Sequence, residues 1–194
     1  TADGFSYYTV FSLWDTYRAE HPLLSIIDTK RTSDILNTFE KEYEYGHLLP
    51  VWEFASNETY CMIGYHSVPV IADAMIKGLT GFDGYKLFEA MKHSADTTLF
   101  GLVHYRNCGF VPQDKENESV SKTLEYAYDD WCISQAAKYL DVPNDMDFFR
   151  FNQRAQYYKN VFDPETGFMR ARMNGGWYTP FDPSEVNNNY TEAD

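Results

Sequence analysis

Only three cysteines, Cys61, Cys108 and Cys132, occur in 194 residues. Their odd number and the lack of any CxxC spacing argue against a disulfide framework or a cysteine zinc site, and they read as mostly buried thiols. Basic residues are also scarce: 16 Lys and Arg stand against 29 Asp and Glu, giving a formal charge of −13. Such a surface repels phosphate backbones and anionic headgroups, so neither nucleic acid nor a membrane surface is an expected partner. The chain has no apolar run of about 18 residues that could cross a bilayer. Its start, TADGFSYYTVF, lacks the basic and apolar regions of a signal peptide. The Asp, Asn and Gly pattern of a twelve-residue calcium loop is missing as well. No exact repeat, low-complexity tract or Pro-, Ser- or Gly-rich linker divides the chain, and its length suits one domain.

Aromatic residues, by contrast, are abundant: 16 Tyr, 14 Phe and 4 Trp make up 18% of the chain. Most must fill a core. Beside acidic and amide groups, the remainder would suit a sugar, which presents apolar C–H faces and a rim of hydroxyls.

Helical periodicity recurs along the chain. TKRTSDILNTFEKEYEYG carries apolar Ile35, Leu36, Phe39 and Tyr43, with Thr32 or Ser33 as N-cap and Gly46 as the stop. A second helix is expected from about Thr59 to Lys77, kinked by Pro69 and ended by Gly78. A third covers GYKLFEAMKHSADTTLF. GLVHYRNCGFVPQDKENES has no period and reads as a long loop. Helix resumes from about Ser119 to Leu140, with Leu124, Ala127, Tyr128, Trp131 and Tyr139 near one face. VPNDMDFFRFNQRAQYYKNVF is expected to follow as a helix capped near Asn144 or Asp145, before turn chemistry at 163–167 and at Gly175 and Gly176. Long helices, uneven loops and few strands indicate an all-α array of antiparallel helix pairs.

Four stretches could carry chemistry. In SLWDTYRAEHPL, Trp14 offers a flat face, Asp15 an acceptor and Arg18 a fork of donors; read alone, Asp15 and Arg18 are equally a surface pair beside a core Trp. In VWEFASNETYCMIGYH, Glu58 fits the first turn of a helix and His66 a satisfied core histidine. In SVSKTLEYAYDDWC, Glu125 and Asp129 are like charges at i, i+4. That spacing costs a few tenths of a kcal/mol unless an Arg or Lys, a ligand or solvent offsets it. VNNNYTEAD gathers amides and hydroxyls around Glu192, although read alone it is a solvated terminus.

Taken together, FSLWDTYRAEHPL, NETYCMIGYHSVPVIADA, SVSKTLEYAYDDWC and NNNYTEAD resemble, in order and approximate spacing, the catalytic domain of bacterial calcium-dependent α-mannosidases of glycoside hydrolase family 92. The resemblance covers nearly the whole chain. It implies about half of an (α/α)6 toroid in residues 1–194, with a β-sandwich domain before it and the rest of the toroid after it. It also implies exo-acting, inverting hydrolysis of terminal α-mannosides on mannose-containing glycans, with Glu192 as general acid and Trp14, Asp15 and Arg18 in the wall that binds the terminal mannose. Calcium is the implied cofactor. Its ligands and the general base would lie beyond Asp194, so residues 1–194 alone are expected to be inactive and to depend on the remainder of the polypeptide. A periplasmic or secreted bacterial location is implied too, where the sequons at Asn57, Asn117 and Asn189 carry no glycan. The residues themselves leave open a sugar-binding or scaffold module, and another (α/α)6 enzyme such as a glucosidase or epimerase.

Overall fold

The computed structural model describes residues 4–141 and 146–192, and these are predominantly helical. Eight α-helices follow in order: α1 (Leu13–Thr16), α2 (Glu20–Ile27), α3 (Thr29–Gly46), α4 (Ser67–Ile76), α5 (Gly84–Ala95), α6 (Leu102–Cys108), α7 (Ser119–Leu140) and α8 (Met146–Arg154). The strands, β1 (Glu53–Phe54), β2 (Asn57–Glu58), β3 (Phe162–Asp163), β4 (Phe168–Met169), β5 (Arg172–Met173) and β6 (Gly176–Trp177), form three two-stranded antiparallel ladders in the loops.

Several boundaries differ from the sequence expectation. Helix α3 begins four residues before Ser33, because Asp28 is the cap and accepts the Arg31 N–H. The expected helix from Thr59 shrinks to Ser67–Ile76. Residues before it form a loop with left-handed Tyr60, Met62 and Gly64, and Pro69 falls in the first turn, where its missing N–H costs nothing. Helix α5 stops at Ala95, and the expected loop after Gly101 contains α6 between Gly101 and Gly109, both at φ +76°. The cap placed at Asn144 or Asp145 lies outside the described residues; beyond α8 the helix gives way to a 3-10 turn at Tyr157–Val161. Of the cysteines only Cys132 is buried, and Cys61 is exposed.

Side-chain pairings show how the helices run. Ser33, Asn37 and Glu40 of α3 bond to Thr80, Gly81 and Lys86 in that order, and Tyr43 meets His93, so α3 and α5 are parallel. Lys92 of α5 bonds to Asp147, and Asp96 to Arg150 and Arg154, which sets α8 parallel to both. Tyr17 stacks on His66 while Ser25 reaches Asp73, so α2 and α4 are parallel. Tyr65 bonds to Asp130, and Gly84, beside Met75, also lies beside Leu140, so α7 runs with them. The molecule is therefore three helical hairpins, α2/α3, α4/α5 and α7/α8, with one set of parallel helices (α2, α4, α7) backed by another (α3, α5, α8). The main core, including Leu36, Phe39, Ile71, Leu87, Phe88 and Ile133, lies between the layers.

Helix α7 belongs to the first layer and is buried around much of its circumference. Tyr126, Asp129, Asp130, Ile133 and Ala137 are all buried, whereas Tyr128, Trp131 and Tyr139 of the expected apolar face are exposed. A buried Asp130–Arg154 pair (2.7 Å) ties α7 to α8, and the Tyr65 hydroxyl occupies the other Asp130 oxygen at 2.7 Å.

Candidate active site

The parallel layer brings the N-terminal ends of α2, α4 and α7 to one rim, where the candidate residues converge. Glu125, in the second turn of α7, is the hub. Its Oε1 accepts the Trp14 indole N–H at 3.0 Å and the Arg18 guanidinium at 3.1 Å. Arg18 lies over both the Trp14 and Tyr17 rings, each 4.9 Å from its centroid. Tyr17 stacks on His66 with centroids 4.4 Å apart. Burial, then the Glu125 charge, pushes the Tyr17 phenol up to about 12, so it remains a proton-bearing donor at neutral pH.

His66 sits between the two carboxylates. Its Nδ1 is 2.8 Å from Asp129 Oδ1, and Nε2 lies 3.5 Å from Glu125 Oε2 without a hydrogen bond. The other Asp129 oxygen accepts the Tyr65 N–H at 2.8 Å. These contacts, together with Trp14 and Arg18, offset the like-charge spacing of Glu125 and Asp129. Gly64 makes the close approach of His66 possible: its φ is +82°, and a Cβ there would fall 2.3 Å from His66 Nε2.

The segment ending at Glu192 docks on the same end of α7. Glu118 N–H and Val120 N–H donate to the carbonyls of Asn188 and Asn189, and Thr191 N–H donates to Ser121 Oγ at 2.9 Å. The Thr191 hydroxyl donates to Glu118. Ser121 and Glu125 are i, i+4, hence neighbours on one face of α7, so Thr191 is anchored one turn from the Glu125 hub.

Of the sequence candidates, Trp14 and Arg18 thus join one cluster, and Glu192 follows the anchored Thr191. Asp15 does not join: it is exposed and accepts the Ser12 hydroxyl at 2.5 Å. Glu192 itself is exposed. Thr191 takes the buried place, Tyr190 turns to the Met169 carbonyl, and Glu192 continues at a left-handed φ of +52°, a sparsely populated region for a non-glycine residue. Glu58 lies on a strand, not a helix, its carboxylate taken up by the N–H groups of Val51, Trp52 and Tyr60. Glu125 and His66 have the strongest claim among residues the sequence left unassigned. The costly Glu125–Asp129 spacing was the signal for the first, and a lone histidine gave none for the second.

Residues 1–194 match the sequence model of the glycosyl hydrolase family 92 catalytic domain. The chain belongs to glycosyl hydrolase family 92. Within that family it is similar to the alpha-mannosidase BT3965 from Bacteroides thetaiotaomicron, at 49% identity and a TM-score of 0.93 over 97% of this chain and 26% of that one. The same protein in complex with mannoimidazole matches at 50% identity and a TM-score of 0.89, covering 93% of this chain and 24% of that one. The inverting mannosidase BT2199 from Bacteroides thetaiotaomicron VPI-5482 is 34% identical, with a TM-score of 0.86 over 94% of this chain and 26% of that one. An uncharacterized secreted glycosidase of Arthroderma benhamiae is 25% identical over 158 residues, 71% of this chain and 20% of its own length. The chain thus spans about a quarter of the length of its family 92 relatives. Its three hairpins are about half of the (α/α)6 toroid of family 92 enzymes.

Proposed function

We propose that this chain forms part of a larger family 92 enzyme that removes terminal α-mannosyl residues from glycans with inversion, Glu192 serving as general acid. One juxtaposition carries the reading: Trp14, Arg18, Glu125 and His66 meet at the rim of α7 where the segment bearing Glu192 is anchored, in a chain 49% identical to an alpha-mannosidase. The Trp14 face suits the apolar face of a sugar, while the oriented Glu125 carboxylate and Arg18 suit its hydroxyls. Glu192 would donate a proton to the departing oxygen while a carboxylate about 6.5–9.5 Å away activates water. That base, and a β-sandwich domain before this chain, are proposed to lie in the rest of the polypeptide. Exposed Ile26 and Ile27 on α2 and Trp131 on α7 are apolar surfaces that further toroid helices would cover. Among the described residues no group of three or more His, Cys, Asp or Glu side chains could hold a metal ion. Calcium is accordingly proposed as a cofactor held beyond Asp194, and no step is assigned to it. A periplasmic or secreted location is proposed on the likeness to a secreted glycosidase.

The test is a chimera in which residues 1–194 replace the matching segment of BT3965. It should hydrolyse aryl α-mannosides, and Glu192→Gln should lower kcat/KM by about 10²–10⁴-fold for a poor leaving group but far less for a dinitrophenolate, which departs as an anion. Equal losses on both substrates would refute the acid role. Unchanged catalysis with weakened sugar binding would favour a binding module.

A further inference from the structure

A second acidic site lies apart from the Glu125 cluster, where the C-terminal half of α3 meets the β1/β2 ladder. A cavity of about 460 Å³ opens there, lined by Glu42, Glu53 and Glu58 together with Tyr45, Tyr60 and Leu48, and no lysine, arginine or histidine lines it. Glu53 and Glu58 face each other across the ladder, a pairing that costs stability when both are charged. Glu58 is committed to three backbone N–H groups. Glu53 is not. It is 7% exposed, its Oε1 accepts the Phe11 N–H at 3.4 Å, and its Oε2 is buried with no hydrogen-bond partner among the described residues. Glu42 Oε2 is likewise buried and unpartnered.

We propose that this cavity is a binding site for an organic cation, an alkylguanidinium group. Two buried carboxylate oxygens without donors suit a donor-rich cation that would supply the missing hydrogen bonds. A bare metal ion fits poorly, because the described residues hold no metal-binding group of three or more such ligands. The cavity is also far larger than an ion needs and is within the range of small-molecule pockets. Tyr45 and Tyr60, 84% and 42% exposed, offer faces to a cation, and Leu48 and Pro50 offer apolar walls to an alkyl stem.

The charge state of Glu42 makes binding pH-linked. Burial first, then the charges of Glu53 on β1 and Glu58 on β2, push Glu42 up to about 8. The empty site therefore keeps a proton on Glu42 at neutral pH, and a cation entering releases it, so affinity should rise about tenfold from pH 7 to 9.

Calorimetry on this chain tests the proposal with two pairs of probes: n-butylguanidinium against neutral n-butylurea, and N-acetyl-Gly-Arg-Gly-amide against its citrulline counterpart. The cationic member of at least one pair should bind with proton release and the neutral members should not. The tighter cationic probe identifies whether the site takes a free small cation or an arginine on a polypeptide. Glu53→Gln should lower affinity at least tenfold, and Glu42→Gln should abolish the pH dependence. Equal binding of charged and neutral probes, affinity flat between pH 7 and 9, or no binding of either cation at millimolar concentration would each overturn the proposal.

Discussion

The ion pair joining α7 to α8 offers a direct test of how the site is held. Arg154 is 4% exposed, Asp130 is fully buried, and the guanidinium also donates to Asp96 and to the Ala95 carbonyl. Arg154→Met preserves the aliphatic stem but leaves the Asp130 carboxylate buried without a countercharge. Breaking one side of such a pair costs about 3–5 kcal/mol. For a chain of this size each kcal/mol moves Tm by about 2–4 °C, so the variant should melt roughly 10 °C lower. The sign with pH follows from burial. Without Arg154, the folded-state pKa of Asp130 lies above its unfolded value, so its charging cost is fully present above the folded pKa and fades as the pH falls. The loss should therefore be smaller at pH 5 than at pH 8. Adding Asp130→Leu removes the orphaned charge and should recover most of the loss, leaving the Tyr65 hydroxyl the Tyr126 carbonyl at 3.3 Å. Urea unfolding of the wild type, both single variants and the double variant at the two pH values decides the matter. A loss below about 1 kcal/mol for Arg154→Met, or one independent of pH, would show that the pair does not hold α8 on α7.

Two further predictions follow from the same kind of accounting. His21 is 2% exposed between the Phe11 and Phe39 rings, and burial lowers its pKa from 6.5 to about 4. The neutral form is the folded one, so stability should be fully present above pH 6.5 and fall by about 3 kcal/mol between pH 6.5 and 4, a dependence that His21→Phe should remove in pH-resolved thermal melts. Gly64→Ala forces a Cβ into a left-handed residue and against His66, so it should cost about 1–3 kcal/mol, or more if His66 is expelled. An NMR titration in which the His66 ring is unmoved in Gly64→Ala would contradict the close packing described here.

How much of this was legible beforehand varied with the kind of signal. Helix α7 was legible in its bounds, Ser119–Leu140, and Trp14, Arg18 and Glu192 were singled out by a resemblance whose motifs lie in sequence order. The faces of α7 were misjudged because an inner helix meets neighbours on most sides, so buried Asp129 and Asp130, hydrogen-bonded to His66, Tyr65 and Arg154, leave no amphipathic stripe. The helix expected from Thr59 failed for a different reason. Glu58 there pairs with Glu53 across a short ladder and turns its carboxylate back to the N–H groups of Val51, Trp52 and Tyr60, and left-handed Tyr60 and Met62 break the turn. Asp15 was set aside by its own neighbour, since the Ser12 hydroxyl claims its carboxylate locally. Such short-range competition is invisible in residue type and spacing.

Parallel alignment of α2, α4 and α7 divides labour between the two ends of the molecule. Every segment entering this layer, 14–18, 60–66 and 118–121, crosses one rim, while the turn at 78–83 that leaves α4 crosses the opposite one. Chemistry and mutational freedom should therefore separate by altitude along the helix axes rather than by position in the chain. A peptide tag inserted after Thr80 would leave the Glu125 hub alone, whereas one of equal size after Tyr60 would dislodge His66. For laboratory evolution of the proposed mannosidase, substitutions at the entry rim should alter the Glu125 cluster and those at the exit rim should leave it unchanged, with little interference between the two libraries.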